Sequence, residues 1–278
     1  MRSRTRPTAL SLALALTLLA PALGRADGPD VPDFARERPA VQSGDPIFRF
    51  NGRDLSGFYP YLKEHEHEDP RGVFTVRDGL IRISGEEFGG LATREAYRDY
   101  HLIVEWKWGE ATWPPRRDKA RDSGILLHCI GPDGAAGGQW MQSIECQVIE
   151  GGCGDFLPVA GRSRPSLTCT VRVGPDKQLY FDPAGEAVTR DSGRVNWWGR
   201  DPSWRDQLGF RGRRDVEAPA GRWNRMEVVC DGDRITNLVN GHVVNVGTRA
   251  SQAEGKIQLQ SEGAELFVRT FEIRPLIR

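Results

Sequence analysis

Three observations in the sequence predict an all-β, antiparallel sandwich. Residues 100–108 (YHLIVEWKW) alternate strictly, with Tyr100, Leu102, Val104, Trp106 and Trp108 on one face and His101, Ile103, Glu105 and Lys107 on the other. Period two is the mark of a strand with one buried side. Asp-Gly and Asn-Gly pairs join several such runs, and these dipeptides supply the positive φ that tight hairpin turns need. No segment sustains a helical period; TREAYRD offers one turn at most.

Taken in order, the chain opens with Arg2, Arg4 and Arg6, an apolar run (ALSLALALTLLAPAL) and the small residues Gly24 and Ala26. This is the pattern of a signal peptide over residues 1–26, cleaved after Ala26. The apolar run falls short of the ~20 residues that span a bilayer, so no membrane span is expected in the mature chain. Residues 27–44 are rich in Pro, Asp and Arg without periodicity and read as an exposed linker. Residues 45–278 read as a single domain. It begins with IFRF at Ile47 and the turn-rich NGRDLSGF, passes a polar loop (HEHEDP), and continues with a hairpin, VFTVRDGLIRISG, turning at Arg77-Asp78-Gly79.

The 100–108 strand comes next, followed by two strand-like runs between Asp122 and Glu150, separated by GPDGAAGG. TCTVRV and KQLYFD add short strands. Residues 190–215 do not alternate and are expected as a long loop. Hairpins then follow at Asp231-Gly232 and Asn240-Gly241, and two closing strands meet around Ser261-Glu262-Gly263-Ala264.

Charge narrows the partners. Without the four arginines of residues 1–26, the chain carries 34 basic and 38 acidic groups, which leaves no footprint for nucleic acid or an anionic membrane. Export, to the periplasm or beyond, is the expected destination. Cys129, Cys146, Cys153, Cys169 and Cys230 permit one or two disulfides or buried thiols, and their spacing does not match a zinc site. No cofactor is expected. Acidic loops leave room for a structural Ca²⁺, but none has EF-hand spacing. His65 and His67 alternate within the acidic HEHED loop, where a solvated loop outweighs a metal site.

The best candidate for a working site is 122–155, where pairing of the two runs would set His128 beside Glu145 and Gln147 while Ile125, Ile144 and Val148 face the core. Around it, FNGRDLSGF, VRDGLIRISG, GGLATREAYRDYHLIVEWKW, DSGILLH, SIECQVIEGG, GRWNRMEVV, NGHVVN and GKIQLQSEGAELFVRTFEIRPL follow one another in order. Together, over about residues 47–276, they resemble the 3-keto-disaccharide hydrolase family. The resemblance implies a concanavalin A-like jelly roll and exported proteins acting on sugars, some of which hydrolyse glycosides oxidised at C3 of the glucose unit. This chain departs from it at Asp122, where the family often has Asn, and at His128, where it often has Arg.

Given that fold, core parity for the apolar residues assigns Glu105, Lys107, Asp122, His128, Glu145 and Gln147 to a concave sugar-facing sheet. Laminarinase-type enzymes carry E-x-D-x-x-E on such a strand. Here the run is Glu145-Cys146-Gln147-Val148-Ile149-Glu150, with an amide in place of the middle acid and Glu150 on the opposite parity. A 3-keto sugar needs less, because its C2 proton is acidic. Glu145 or His128 is expected as the base and Lys107 or His128 as the group polarising the ketone. Trp197, Trp198 and Arg200 in the long loop, with Trp140 nearer the site, suit sugar stacking and hydroxyl binding. Tryptophans that pin the loop to the sandwich are an equal expectation. A non-catalytic, lectin-like carbohydrate-binding module is the second reading of the whole.

Overall fold

The computed structural model describes residues 30–40 and 42–277, so the expected signal peptide lies outside the described residues. Two antiparallel sheets pack face to face in the expected jelly-roll manner. One is centred on Tyr100–Thr112, flanked by Asn224–Asp231 and Ala264–Ile277. The other runs in the spatial order Phe156–Val159, Gln142–Ile149, Asp122–Ile130, Glu254–Ser261, Gly89–Thr93, Phe58–Leu62.

Alternation decides which faces meet. Tyr100, Leu102, Val104, Trp106 and Trp108 all point into the core, where they contact Ile125, Ile144, Cys146, Val148 and Leu259 of the opposing sheet. Each large side chain buried in this way stabilises the fold by roughly 1.5–3 kcal/mol. Tight hairpins set the register. Asp78 and Gly79 (φ 52 and 77) join Phe74–Arg77 to Leu80–Ile83, and Asn240 and Gly241 (φ 49 and 85) join Arg234–Val239 to His242–Thr248. The turn expected at Asp231-Gly232 falls one residue later, because Asp231 pairs with Arg234.

Two expectations change, and one open alternative closes. Residues 30–40 and 42–44 are not an exposed linker: Asp33–Arg36 forms a 3₁₀ turn, and Phe34 meets Phe181 and Trp198 edge-on at 5.9 and 6.2 Å. Beyond it, Gln42–Ser43 pairs with the C-terminal end of Ala264–Ile277. One aromatic anchor and a two-residue strand are too short to show a period. The TREAYRD stretch holds a short strand, Tyr97–Arg98, paired with Glu254–Ser261. All five cysteines are buried free thiols.

The 190–215 segment is irregular, as expected, but its paired indoles are interior. Trp197 and Trp198 are 2% and 3% exposed, lie 5.1 Å apart, and Trp198 Nε1 donates to the Val243 carbonyl at 2.9 Å. They therefore pin the loop. Trp198→Ala is expected to lower unfolding free energy by about 3–5 kcal/mol in urea titration. A loss below about 1 kcal/mol would mean that the loop is energetically detached from the core.

Candidate active site

The site is built on the face of the second sheet turned away from the core. Register places Glu145 opposite Leu126, Leu126 opposite Gln258, Gln258 opposite Ala92 and Ala92 opposite Tyr59, so one row crosses five strands. In the next row Gln147 faces Gly124, and Gln260 faces Gly90, which faces Tyr61. The two glycines clear the floor. A Cβ at Gly124 would sit 2.3 Å from Glu145 Oε1 and 2.4 Å from Gln260 Oε1, and one at Gly90 would sit 2.3 Å from Gln258 Cδ. Glu145, Gln258 and Gln260 therefore lie across the sheet where side chains would otherwise stand.

Beyond these rows, Asp122 stands opposite Ile149, and Glu262 follows the end of Glu254–Ser261. Asp122 Oδ2 pairs with Arg116 Nη2 at 3.1 Å. Asp122 Oδ1, Glu145 Oε1 and both amide atoms of Gln260 are buried without a hydrogen-bond partner. Buried polar groups normally find partners, so these atoms are available to a polar group entering the floor.

Electrostatics agree. Burial pushes Glu145 up to about 8, with the Asp122 charge adding to the effect and Arg194 opposing it. Burial likewise raises Asp122 to about 7 against the pull of Arg116 and Arg194. Glu262 is raised well above the usual carboxylate range by burial, and then by Asp122 and Glu145. Three carboxyls thus share fewer than three charges near neutral pH, and a set of acids with separated affinities provides a proton donor and a proton acceptor in one site. Arg194, about a quarter exposed, is held by Asp155 at 2.7 Å.

The sequence-predicted residues divide sharply. Glu145, Gln147 and Asp122 share the expected face; Gln147 turns its Oε1 back to accept from Val148 N at 3.0 Å. Trp140 borders the same face, packed on Leu126, Cys129 and Met141, with its Nε1 donating to the Gly89 carbonyl at 3.0 Å. His128 does not join them. A bulge with φ 52 at His128 turns Cys129, rather than His128, toward Met141. The imidazole lies edge-on to Tyr100 at 5.6 Å, with Nδ1 2.9 Å from the Gln252 carbonyl, and burial lowers its pKa to about 4.

Glu105 and Lys107 point outward, as parity required, but from the other sheet. Glu105 binds Arg269 at 3.0 Å and Thr270 at 2.7 Å, and Lys107 lies 5.1 Å over the Trp223 ring. Trp197 and Trp198 are core residues rather than sugar platforms. Arg200 is buried against Asp155. Glu150 is occupied structurally, taking Arg121 Nη1 at 2.7 Å and Gly209 N at 2.8 Å. The two loop histidines diverge: His65 Nδ1 sits 2.8 Å from Glu87, while His67 meets the Tyr61 ring edge-on at 5.2 Å. Glu64, His65 and Glu87 bring donor atoms within 4.8 Å of one another, and there a cation would find three ligands.

Glu262, Arg116, Arg194 and Gln260 were not singled out in the sequence. One signal was available: Lys256, Gln258, Gln260 and Glu262 continue a single alternation in GKIQLQSE.

A family model described as the 3-keto-alpha-glucoside-1,2-lyase-like domain matches residues 46–274. The chain belongs to this family. The lyase-like domain is similar in fold to a provisionally assigned glycosyl hydrolase from Parabacteroides distasonis ATCC 8503 (17% identity, 82% of this chain and 92% of that chain, TM-score 0.47). It is also similar to the β-glucanase of Bacillus licheniformis (13% identity, 84% and 99% coverage, TM-score 0.42) and to the carbohydrate-binding module CBM66 of Bacillus subtilis (9% identity, 78% and 95% coverage, TM-score 0.44). No curated protein matches the sequence.

Two predictions follow from the floor of the lyase-like domain. Because Glu145 is raised from 4.5 to about 8, the folded state holds a proton that the unfolded chain gives up, and stability falls as pH rises through that interval. Glu145→Gln removes the effect, so in pH-resolved thermal melts its stability relative to the parent should rise from pH 5 to pH 8, by at most about 1.4 kcal/mol per pH unit. A flat difference would contradict the burial of a titrating carboxyl here. Gly124→Ala should displace Glu145 and Gln260, costing about 1–3 kcal/mol by overpacking. A crystal structure of this variant with both side chains unmoved would contradict the cleared floor.

Proposed function

We propose that this domain is an exported, carbohydrate-active lyase or hydrolase that cleaves glycosides carrying a ketone at C3. The observation that carries the reading is the set of two buried carboxyls, Asp122 and Glu145, and the partly buried Glu262, all with raised proton affinities. It meets what such a sugar requires, a base at C2 and an acid at the leaving oxygen. Asp122, kept partly charged by Arg116, takes the C2 proton, and the electron pair moves onto the C3 oxygen beside the Arg194 guanidinium. Its return forms the C1–C2 double bond and breaks the bond from C1 to the leaving oxygen. That oxygen receives its proton from Glu145, neutral for the most part at pH 7. Water adding at C1, with a proton returned to C2, completes hydrolysis; release before that step is the lyase outcome.

An ordinary two-carboxylate glycosidase fits less well, since Gln147 is an amide and Glu150 is bound by Arg121. A binding module fits less well because Trp197 and Trp198, the candidate stacking platforms, are buried. Incubation with a nitrophenyl 3-keto-glucoside and its unoxidised parent tests the reading. Aglycone should be released from the keto form alone, and Glu145→Gln and Asp122→Asn should each reduce the rate by about 10²-fold or more. Release from neither substrate would leave binding as the activity.

A further inference from the structure

A pocket of about 410 Å³, apart from the carboxyl floor, is walled by four arginines, Arg172, Arg200, Arg213 and Arg214, together with Asp201 and Trp198. Arg200 is balanced by Asp155 behind it and Arg214 by the exposed Asp30, so the lining, with Asp201 as its one carboxylate, keeps a modest positive excess from Arg172 and Arg213. Two of them are set in place by the fold. Arg172 Nη2 donates to the Trp198 carbonyl at 3.2 Å and its guanidinium stacks 4.9 Å from the Tyr180 ring centre. Arg200 is anchored through Nη1 on Asp155 and stacks 4.2 Å from the Trp204 ring centre. Stacked guanidiniums keep their in-plane donors free, and orienting them in advance lowers the entropy cost of binding.

The other two are not neutralised by the pocket itself. Arg214 reaches outward to the exposed Asp30 at 3.2 Å. The Arg213 side chain makes no ion pair among the described residues, although its backbone N–H approaches Asp201 Oδ2 at 3.5 Å. Asp201 is satisfied locally by Ser203, whose N–H and hydroxyl donate to Oδ1 at 2.9 and 2.7 Å. Like charges gathered around a concave volume repel one another unless an anion enters, and planar N–H forks match carboxylate, sulfate and phosphate oxygens two at a time.

We infer that this arginine pocket is an oxyanion-binding site, taking a carboxylate, sulfate or phosphate group either as a free ion or carried on a sugar. It stands independently of the chemistry assigned to the carboxyl floor. Arg200 nevertheless links the two places, because the Asp155 carboxylate that holds Arg200 also holds Arg194 beside Glu145 and Asp122.

Isothermal titration of the protein with sodium sulfate, sodium glucuronate and glucose, at matched ionic strength, tests this. Saturable binding of sulfate or glucuronate, without competition from glucose, is expected. Arg213→Glu and Arg172→Gln, checked for unchanged thermal melts, should each weaken it by at least ~10-fold, the effect of losing one charge-assisted contact. Arg222→Glu, the same charge change at an exposed arginine outside the pocket, should leave it unaltered. Tighter binding of glucuronate than of sulfate would identify an acidic sugar as the ligand, and equal or weaker binding would identify a free ion; both support the site. No saturable binding of either anion, or equal weakening by Arg222→Glu, would overturn it.

Discussion

The Asp155 carboxylate is the interaction on which the rest depends. It is fully buried, lies just before Phe156–Val159, and accepts from Arg194, Arg200 and the Trp197 N–H. A charge placed there without partners would be costly; with two guanidiniums and an amide it becomes an anchor. Through it the irregular 190–215 segment is tied to the edge of the second sheet. The positive charge facing the candidate acids and one wall of the arginine pocket both descend from this single group. Removing it would leave the buried Arg200 and the partly buried Arg194 without their shared carboxylate and release the loop, so its influence reaches well past its immediate neighbours.

Absence of atoms matters as much on the floor. Gly124 and Gly90 share a row with Gln147 and Gln260, and Glu145 and Gln258 stand in the adjacent row. Glu145, Gln258 and Gln260 fold flat over the glycines and meet across strands, which pleated sheets ordinarily prevent by holding side chains upright. Burial raises the proton affinity of Glu145, and the neighbouring Asp122 charge adds to the effect.

How much of this could be read from the chain depends on which quantity a residue pattern encodes. Period two encodes faces, and the 100–108, 122–127 and 142–149 stretches present the faces expected. It does not encode which sheet a strand joins, and Glu105 and Lys107, correct in parity, came to the wrong side of the molecule for that reason. Nor does it encode a bulge: one residue at φ 52 moved His128 out of register with Glu145. Arg116 and Arg194 sit in loops, where position follows from tertiary contacts alone. Glu262 ends an alternating run, Lys256, Gln258, Gln260 and Glu262, whose common face is legible in the sequence. Hairpins with Asn-Gly and Asp-Gly were the easiest features to place, since their backbone requirement is local.

The cysteines carry a consequence of a different kind. All five sulfurs are shielded within the interior, and Cys146 Sγ lies 3.7 Å from the Met226 thioether rather than from another thiol. Burial holds their proton affinity above that of an exposed thiol, so little reactive thiolate is presented. Maturation of this sandwich therefore places no demand on an oxidising compartment or a disulfide-forming catalyst.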